Sequence, residues 1–229
     1  MKKLLMIRDK QLATDFVDAL GVQNPIVYAP MVKIEELDIK QPIPITDTLI
    51  FTSSNAVRAY CKRSTDRTVR AFCVGSITAK VADDHNIKVS KSYETVETLI
   101  DDLKASKADL GSILYPRGEV VSVDIVQALS DMQIEITEVI LYKQVFQNLP
   151  SHGVSEIESS AVIVPILSKE IAGRFLEALK VLKSQNVTII CISPAVAKIF
   201  KDSIGFKVQI AAKPTRAALI QVVKTALSV

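Results

Sequence analysis

Polar residues in this chain gather at a recurring place: directly after short apolar runs and directly before stretches of helical periodicity. Thr52, Ser53, Ser54 and Asn55 follow Ile50 and Phe51, and Gly75, Ser76 and Thr78 follow the next run. Arg117 and Gly118 follow Tyr115 in the segment YPRGE. Ser168, then Ser193 with Pro194, then Thr215 after Pro214, take like positions in the C-terminal third, and Arg8 ends the first apolar run. Any single Ser, Thr or Asn at such a place has an ordinary task, capping the helix that begins there, worth about 1 kcal/mol. Four in succession at 52–55 exceed what one cap needs. As a group, their hydroxyls, an amide and the free N–H groups of a helix start can cradle a carboxylate. Gly75 removes a Cβ where a ligand would approach the backbone, whereas Arg117 and Gly118 read equally well as a turn with a solvated arginine. The chemistry these groups suggest is recognition of an anionic small molecule by many weak donors.

Other chemistries find little support. His85 and His152 are the only histidines, with no Cys or carboxylate cluster at ligand spacing around either, so no metal centre is expected. Neither G-x-G-x-x-G nor G-x-x-x-x-G-K-[ST] occurs, and seven glycines offer little for a nucleotide-phosphate loop, so no cofactor is expected. The balance of 28 Lys and Arg against 25 Asp and Glu has no like-charge run, which argues against nucleic acid as partner and leaves an anionic small molecule compatible. The opening MKKLLMIRDK is too short in apolar residues for a membrane span and reads as a first strand, not a signal. Cys61, Cys73 and Cys191 are odd in number and never at CxxC spacing, as suits reduced core thiols and a cytoplasmic location. Mixed surface charge suggests a monomer.

The elements that must position these loops are legible as alternation. Short Val- and Ile-rich runs alternate with helical stretches almost throughout, the signature of parallel α/β units. Strands are expected at Lys3–Ile7, Ile26–Ala29, Thr48–Thr52, Val69–Val74, Lys88–Ser90, Ser112–Tyr115, Ile134–Tyr142, Ala161–Val164, Thr188–Ile192 and Lys207–Ile210. The alternation breaks at MVKIEELDIKQPIPI and at KQVFQNLPSHGVSEIESS. The expectation is therefore two similar doubly wound, flavodoxin-like parallel-sheet α/β domains: residues 1–33 with 147–229, and residues 45–141, joined by linkers at 34–44 and 142–146. Two crossings of this kind suggest a hinge with a cleft beside it.

An internal repeat supports the division. Cys73 aligns with Cys191, Ala79 with Ala197, Lys80 with Lys198 and Asp84 with Asp202 at one constant offset. Val89 and Thr95 align with Val208 and Thr215 after single-residue insertions. Shared polar identities at one offset favour a duplicated unit.

The succession IFTSSNAV, VGSITA, YPRG, EVILY and the KPT segment, with the opening MIRD, resembles the sparse pattern of uroporphyrinogen-III synthases. The resemblance implies a cofactor-free enzyme that closes a linear tetrapyrrole, hydroxymethylbilane, into uroporphyrinogen III with inversion of the last ring and loss of water. It implies binding of the substrate's acetate and propionate groups by the strand-end loops named above. On its own Tyr142 reads as a tyrosine of an amphipathic strand; the resemblance implies that it is catalytic, donating to the departing hydroxyl. The chain departs from the pattern in its C-terminal half, where PILS (Pro165 to Ser168) stands for a Thr-Ser loop, and Ser193 and Val196 for a Gly and a Thr. A non-catalytic two-domain ligand-binding module fits the hinge and the polar loops as an alternative, and a different α/β transferase or a flavodoxin-like regulatory domain fits less well, lacking an acidic cluster after Ile7.

Overall fold

The computed structural model describes residues 1–105, 110–121, 123–182, 186–201 and 205–228. In chain order the elements begin with β1 (Lys3–Met6), α1 (Lys10–Leu20), β2 (Ile26–Tyr28) and β3 (Val32–Glu36). There follow β4 (Thr48–Phe51), α2 (Ser54–Arg63), β5 (Arg70–Val74), α3 (Ser76–Asp84), β6 (Lys88–Tyr93), α4 (Val96–Ala105), β7 (Ile113–Gly118), α5 (Ile125–Ser130) and β8 (Ile136–Phe146). The remainder is α6 (Ser151–Ser159), β9 (Val162–Ile166), α7 (Lys169–Lys180), β10 (Val187–Cys191), α8 (Pro194–Ala197) continued by a 3-10 turn, β11 (Lys207–Ile210) and α9 (Arg216–Ser228). The chain divides into two compact units, Met1–Lys33 with Val145–Val229, and Ile34–Gln144.

The first unit holds a five-stranded sheet in the order β11-β10-β9-β1-β2, every pair parallel. Its central strands are apolar on both faces because both faces are covered. Leu4 and Met6 of β1 pack with Phe16 and Leu20 of α1 and Leu219 and Val223 of α9. Leu5 and Ile7 pack on the other side with Phe175 of α7 and Phe200. Phe175 is fully buried, and its truncation to alanine costs about 3–5 kcal/mol.

The second unit repeats this design. Its sheet runs β3-β8-β7-β4-β5-β6. Leu49 and Phe51 of β4 face α2 and α3 through Val57, Tyr60 and Val81, while Ile50 faces α4 and α5 through Leu99, Leu103 and Leu129. Setting β4–α2–β5–α3–β6–α4 against β9–α7–β10–α8–β11–α9, and β7–α5–β8 against β1–α1–β2, superposes the two strand orders. The units are thus circular permutations of one plan: the first has the flavodoxin-like order 2-1-3-4-5, and the second has 3-2-1-4-5 plus an edge strand. The sequence repeat falls on equivalent elements, Cys73 and Cys191 on β5 and β10, Val89 and Val208 on β6 and β11. Asp202, aligned with Asp84, lies outside the described residues.

Three readings of the sequence need amendment. Residues 32–36, taken in part for linker, form β3, whose backbone pairs Met31 with Gln147 and Leu37 with Leu141 and so runs antiparallel to β8. Strand β8 continues to Phe146 through the second segment read as linker. Strands β7 and β9 extend past Tyr115 and Val164 through Pro116 and Pro165.

Candidate functional site

Those two prolines stand at the switch point of each sheet's strand order. The chain reverses direction between β4 and β7 in one sheet and between β9 and β1 in the other, and ligands of doubly wound sheets bind beyond the carboxyl ends of such strands. Both switch-point ladders are short: Thr48↔Ile113 and Leu49↔Leu114 in one, Lys3↔Val162 and Leu4↔Ile163 in the other. The neighbouring ladders of β4 with β5 and of β9 with β10 run for four and five pairs. Thr48 N–H donates to Ser112 C=O, and Lys3 N–H to Ala161 C=O. Since successive residues of a strand direct their backbone groups to opposite sides, positions 114 and 163 face the same neighbour, and so do 116 and 165. Proline at those two positions removes the donor that would carry each ladder onward, and the strands part at their carboxyl ends.

In the second unit the sequence-singled residues meet at this edge. Ser53 caps α2, its Oγ accepting from Asn55 N–H at 3.2 Å, and Ser54 and Asn55 are buried in the first turn behind it. Thr52 Oγ1 lies 3.1 Å from the hydroxyl of buried Tyr115. Tyr142 stands opposite Gly118 in the β7–β8 register, its ring packed on that glycine: a Cβ there would lie 2.6 Å from ring carbon Cε2. Gly118 is therefore a glycine of close approach. Burial raises the Tyr142 phenol above its ordinary value; hydrogen bonding with the Ser53 side chain opposes this, and the Tyr115 phenol adds to it. The phenol is thus protonated at neutral pH, a donor beside a hydroxyl pair.

Gly75 precedes α3 at φ +88°, and the position of its missing Cβ meets nothing nearer than Thr78 Oγ1 at 3.8 Å. Conformation requires this glycine, not crowding, and the space above it is open. Ser76 is exposed and Thr78 buried. Arg117 is neither in a turn nor solvated. It lies on β7 with Nε 2.7 Å from Glu138 Oε2 and Nη2 3.1 Å from Oε1, while Nη1 donates to the carbonyls of Gly118 and Glu119. Its planar fork is spent on holding β7 to β8.

In the first unit Ser168, Ser193 and Thr215 each cap a helix, accepting from Ile171, Val196 and Ala218 N–H. Pro194 takes the first position of α8, where its missing N–H has no partner to lose. Arg8 lies beyond β1 with Nη1 buried and without an acceptor among the described residues. Among the described residues no group of His, Cys, Asp and Glu could hold a metal ion, and no helix is long and apolar enough to cross a membrane.

The family model of uroporphyrinogen-III synthase HemD matches residues 17–221. This chain belongs to the uroporphyrinogen-III synthase family. The uroporphyrinogen-III synthetase of Helicobacter pylori superposes at a TM-score of 0.67 with 19% identity, over 100% of this chain and 99% of that one. A mutant uroporphyrinogen III synthase of Thermus thermophilus superposes at 0.50 with 11% identity, over 100% and 99%. Both likenesses bear on the fold, whose mixed α/β units with parallel sheets they share. No curated protein matches.

Within this family frame, each unit gathers its own polar residues at the carboxyl edge of its own sheet. Sequence reasoning missed two participants. Tyr115 looked like a core strand residue, yet its hydroxyl meets Thr52. Arg216 sat one residue past the KPT segment inside an expected helix; its Nε and Nη2 are buried without an acceptor. Neither carried a signal in the sequence, since both depend on tertiary burial.

Proposed function

We propose that this chain is a cytoplasmic, monomeric uroporphyrinogen-III synthase that cyclises hydroxymethylbilane, with Tyr142 as its principal proton-donating group. The family match over residues 17–221 carries this reading. The substrate's terminal hydroxyl departs with a proton as water, leaving an electrophilic methylene carbon conjugated to its pyrrole. The substituted carbon of the far pyrrole attacks it to give a spiro intermediate, which fragments and recloses with that ring inverted. Electron-rich pyrroles supply most of the driving force, so the protein's contribution is to fix which carbon is presented.

The geometry at the β7–β8 edge supports the part given to Tyr142. A phenol kept protonated by burial and held on Gly118 beside Ser53 can donate a hydrogen bond to the leaving oxygen. Thr52, Ser53, Ser54, Asn55, Gly75, Ser76 and Thr78 offer hydroxyls and helix-start N–H groups to the carboxylates, as Ser168, Ser193 and Thr215 do on the other unit. Arg117, its fork occupied by Glu138, serves by bracing the strand that carries Gly118. Complementation tests the reading. The gene restores growth without added heme to a bacterial strain lacking its own synthase, and a folded, abundant protein that fails to do so contradicts it.

A further inference from the structure

Two arginines of the first unit carry buried donors that nothing among the described residues accepts. Arg8 lies two residues beyond β1, at the carboxyl edge where β1 and β9 part. Arg216 opens α9, directly after the capping Thr215. Nη1 of Arg8 and Nε and Nη2 of Arg216 are buried without a hydrogen-bond acceptor. The Arg216 guanidinium lies 5.3 Å from the ring centroid of Phe16, a fully buried side chain of α1, which supports its face and leaves its edge to a ligand.

The electrostatics make this arrangement costly when empty. Burial lowers Arg8 to about 10, with Asp9 and Asp15 opposing the change. Burial likewise lowers Arg216 to about 10, the charge of Arg8 adding to the effect and Asp15 opposing it. Asp15 attracts both guanidinium groups, yet the buried donors named above meet no acceptor among the described residues, so an anion that accepts from them stabilises the pair. Asp9 Oδ1 already accepts from Gln11 and Leu12 N–H at the start of α1. Arg117 in the second unit shows the contrasting case, each of its nitrogens engaged by Glu138 or a carbonyl.

We propose that Arg8 and Arg216 together form a carboxylate-binding site that takes one acetate or propionate side chain of the tetrapyrrole, assisted by the first N–H groups of α9. The ligand's identity rests on the synthase reading; the anion site does not. A planar carboxylate matches the guanidinium fork, and the Arg216 and Ala217 N–H groups at the start of the 13-residue α9 have no intrahelical acceptor, Thr215 taking that of Ala218.

The test uses the full chain as wild type, Arg216→Met and Arg216→Lys. Thermal midpoints are followed in rising sodium propionate against sodium chloride of equal ionic strength, and KM and kcat are measured for isomer III formation. Wild type is expected to gain stability from propionate beyond chloride, Arg216→Met to lose that excess, and Arg216→Lys to keep part of it. Loss of a charged hydrogen bond to substrate should raise KM about tenfold or more in Arg216→Met with kcat within about twofold. Equal propionate responses in wild type and Arg216→Met, with unchanged KM, overturn the proposal. An Arg216-dependent propionate response in a protein that forms no isomer III upholds the site and removes the synthase reading.

Discussion

The ring of Tyr142 rests on Gly118 so closely that a methyl group at that glycine would stand 2.6 Å from Cε2 and 3.1 Å from the phenol oxygen. Gly118→Ala must therefore move the ring away from Ser53 or distort β7. Overpacking of this kind costs about 1–3 kcal/mol. Denaturant titration should show that loss, and isomer III formation should fall about as far as in Tyr142→Phe if the ring's position is what matters.

Tyr142→Phe keeps the packing and removes the donor. The rate of isomer III formation is expected to drop about tenfold or more, short of the roughly hundredfold at which general-acid effects usually begin because electron-rich pyrroles react largely unaided, with an unchanged fold by circular dichroism. An unchanged rate removes Tyr142 from the mechanism. The phenol also enters the alkaline stability profile. Its folded value is raised, so the stability linked to its proton is complete below the unfolded value of about 10 and is lost as pH rises through the folded one. Wild type should therefore lose stability more steeply than Tyr142→Phe as pH rises from about 10 toward the folded value.

Arg117 separates bracing from binding. Arg117→Gln breaks its pairing with Glu138, whose side chain is 39% exposed, so the stability loss is about 1 kcal/mol or less after screening. KM for the bilane should change by no more than about twofold, against tenfold or more for a lost charged contact to substrate. A large rise in KM at full stability would return Arg117 to the binding surface.

The thiols report on the two cores separately. Burial pushes Cys73 and Cys191 up to about 12, and burial raises Cys61 as well, although Cys61 is only half-buried. Iodoacetamide at mildly alkaline pH should label Cys61 slowly and the other two only in denaturant, as read by peptide mass spectrometry. Rapid labelling of Cys73 in the native protein would mean that the core around β5 opens.

Most of the strands were legible because parallel strands buried on both faces leave short apolar runs bounded by turn residues, as in TLIF of β4 and VTIIC of β10. Strand β3 escaped because an edge strand needs only one apolar face: Val32 and Ile34 alternate with Lys33 and Glu35, too little signal beside Pro42 and Pro44. The ends of β7 and β9 escaped for a functional reason. Proline normally excludes a central strand, yet Pro116 and Pro165 stand where each ladder to the switch-point neighbour has already stopped. Among site residues, those following strands were visible as polar clusters, and several proved to be single caps, as at Ser168 and Ser193. Arg216 was invisible because its burial arises from Phe16 and other residues far away in sequence.

The isomer assay reaches the central claim most directly: purified protein is given hydroxymethylbilane, the products are oxidised, and the uroporphyrins are separated by chromatography. Isomer III in excess over the spontaneous isomer I is the predicted result. Isomer I alone, from folded protein, would contradict the account.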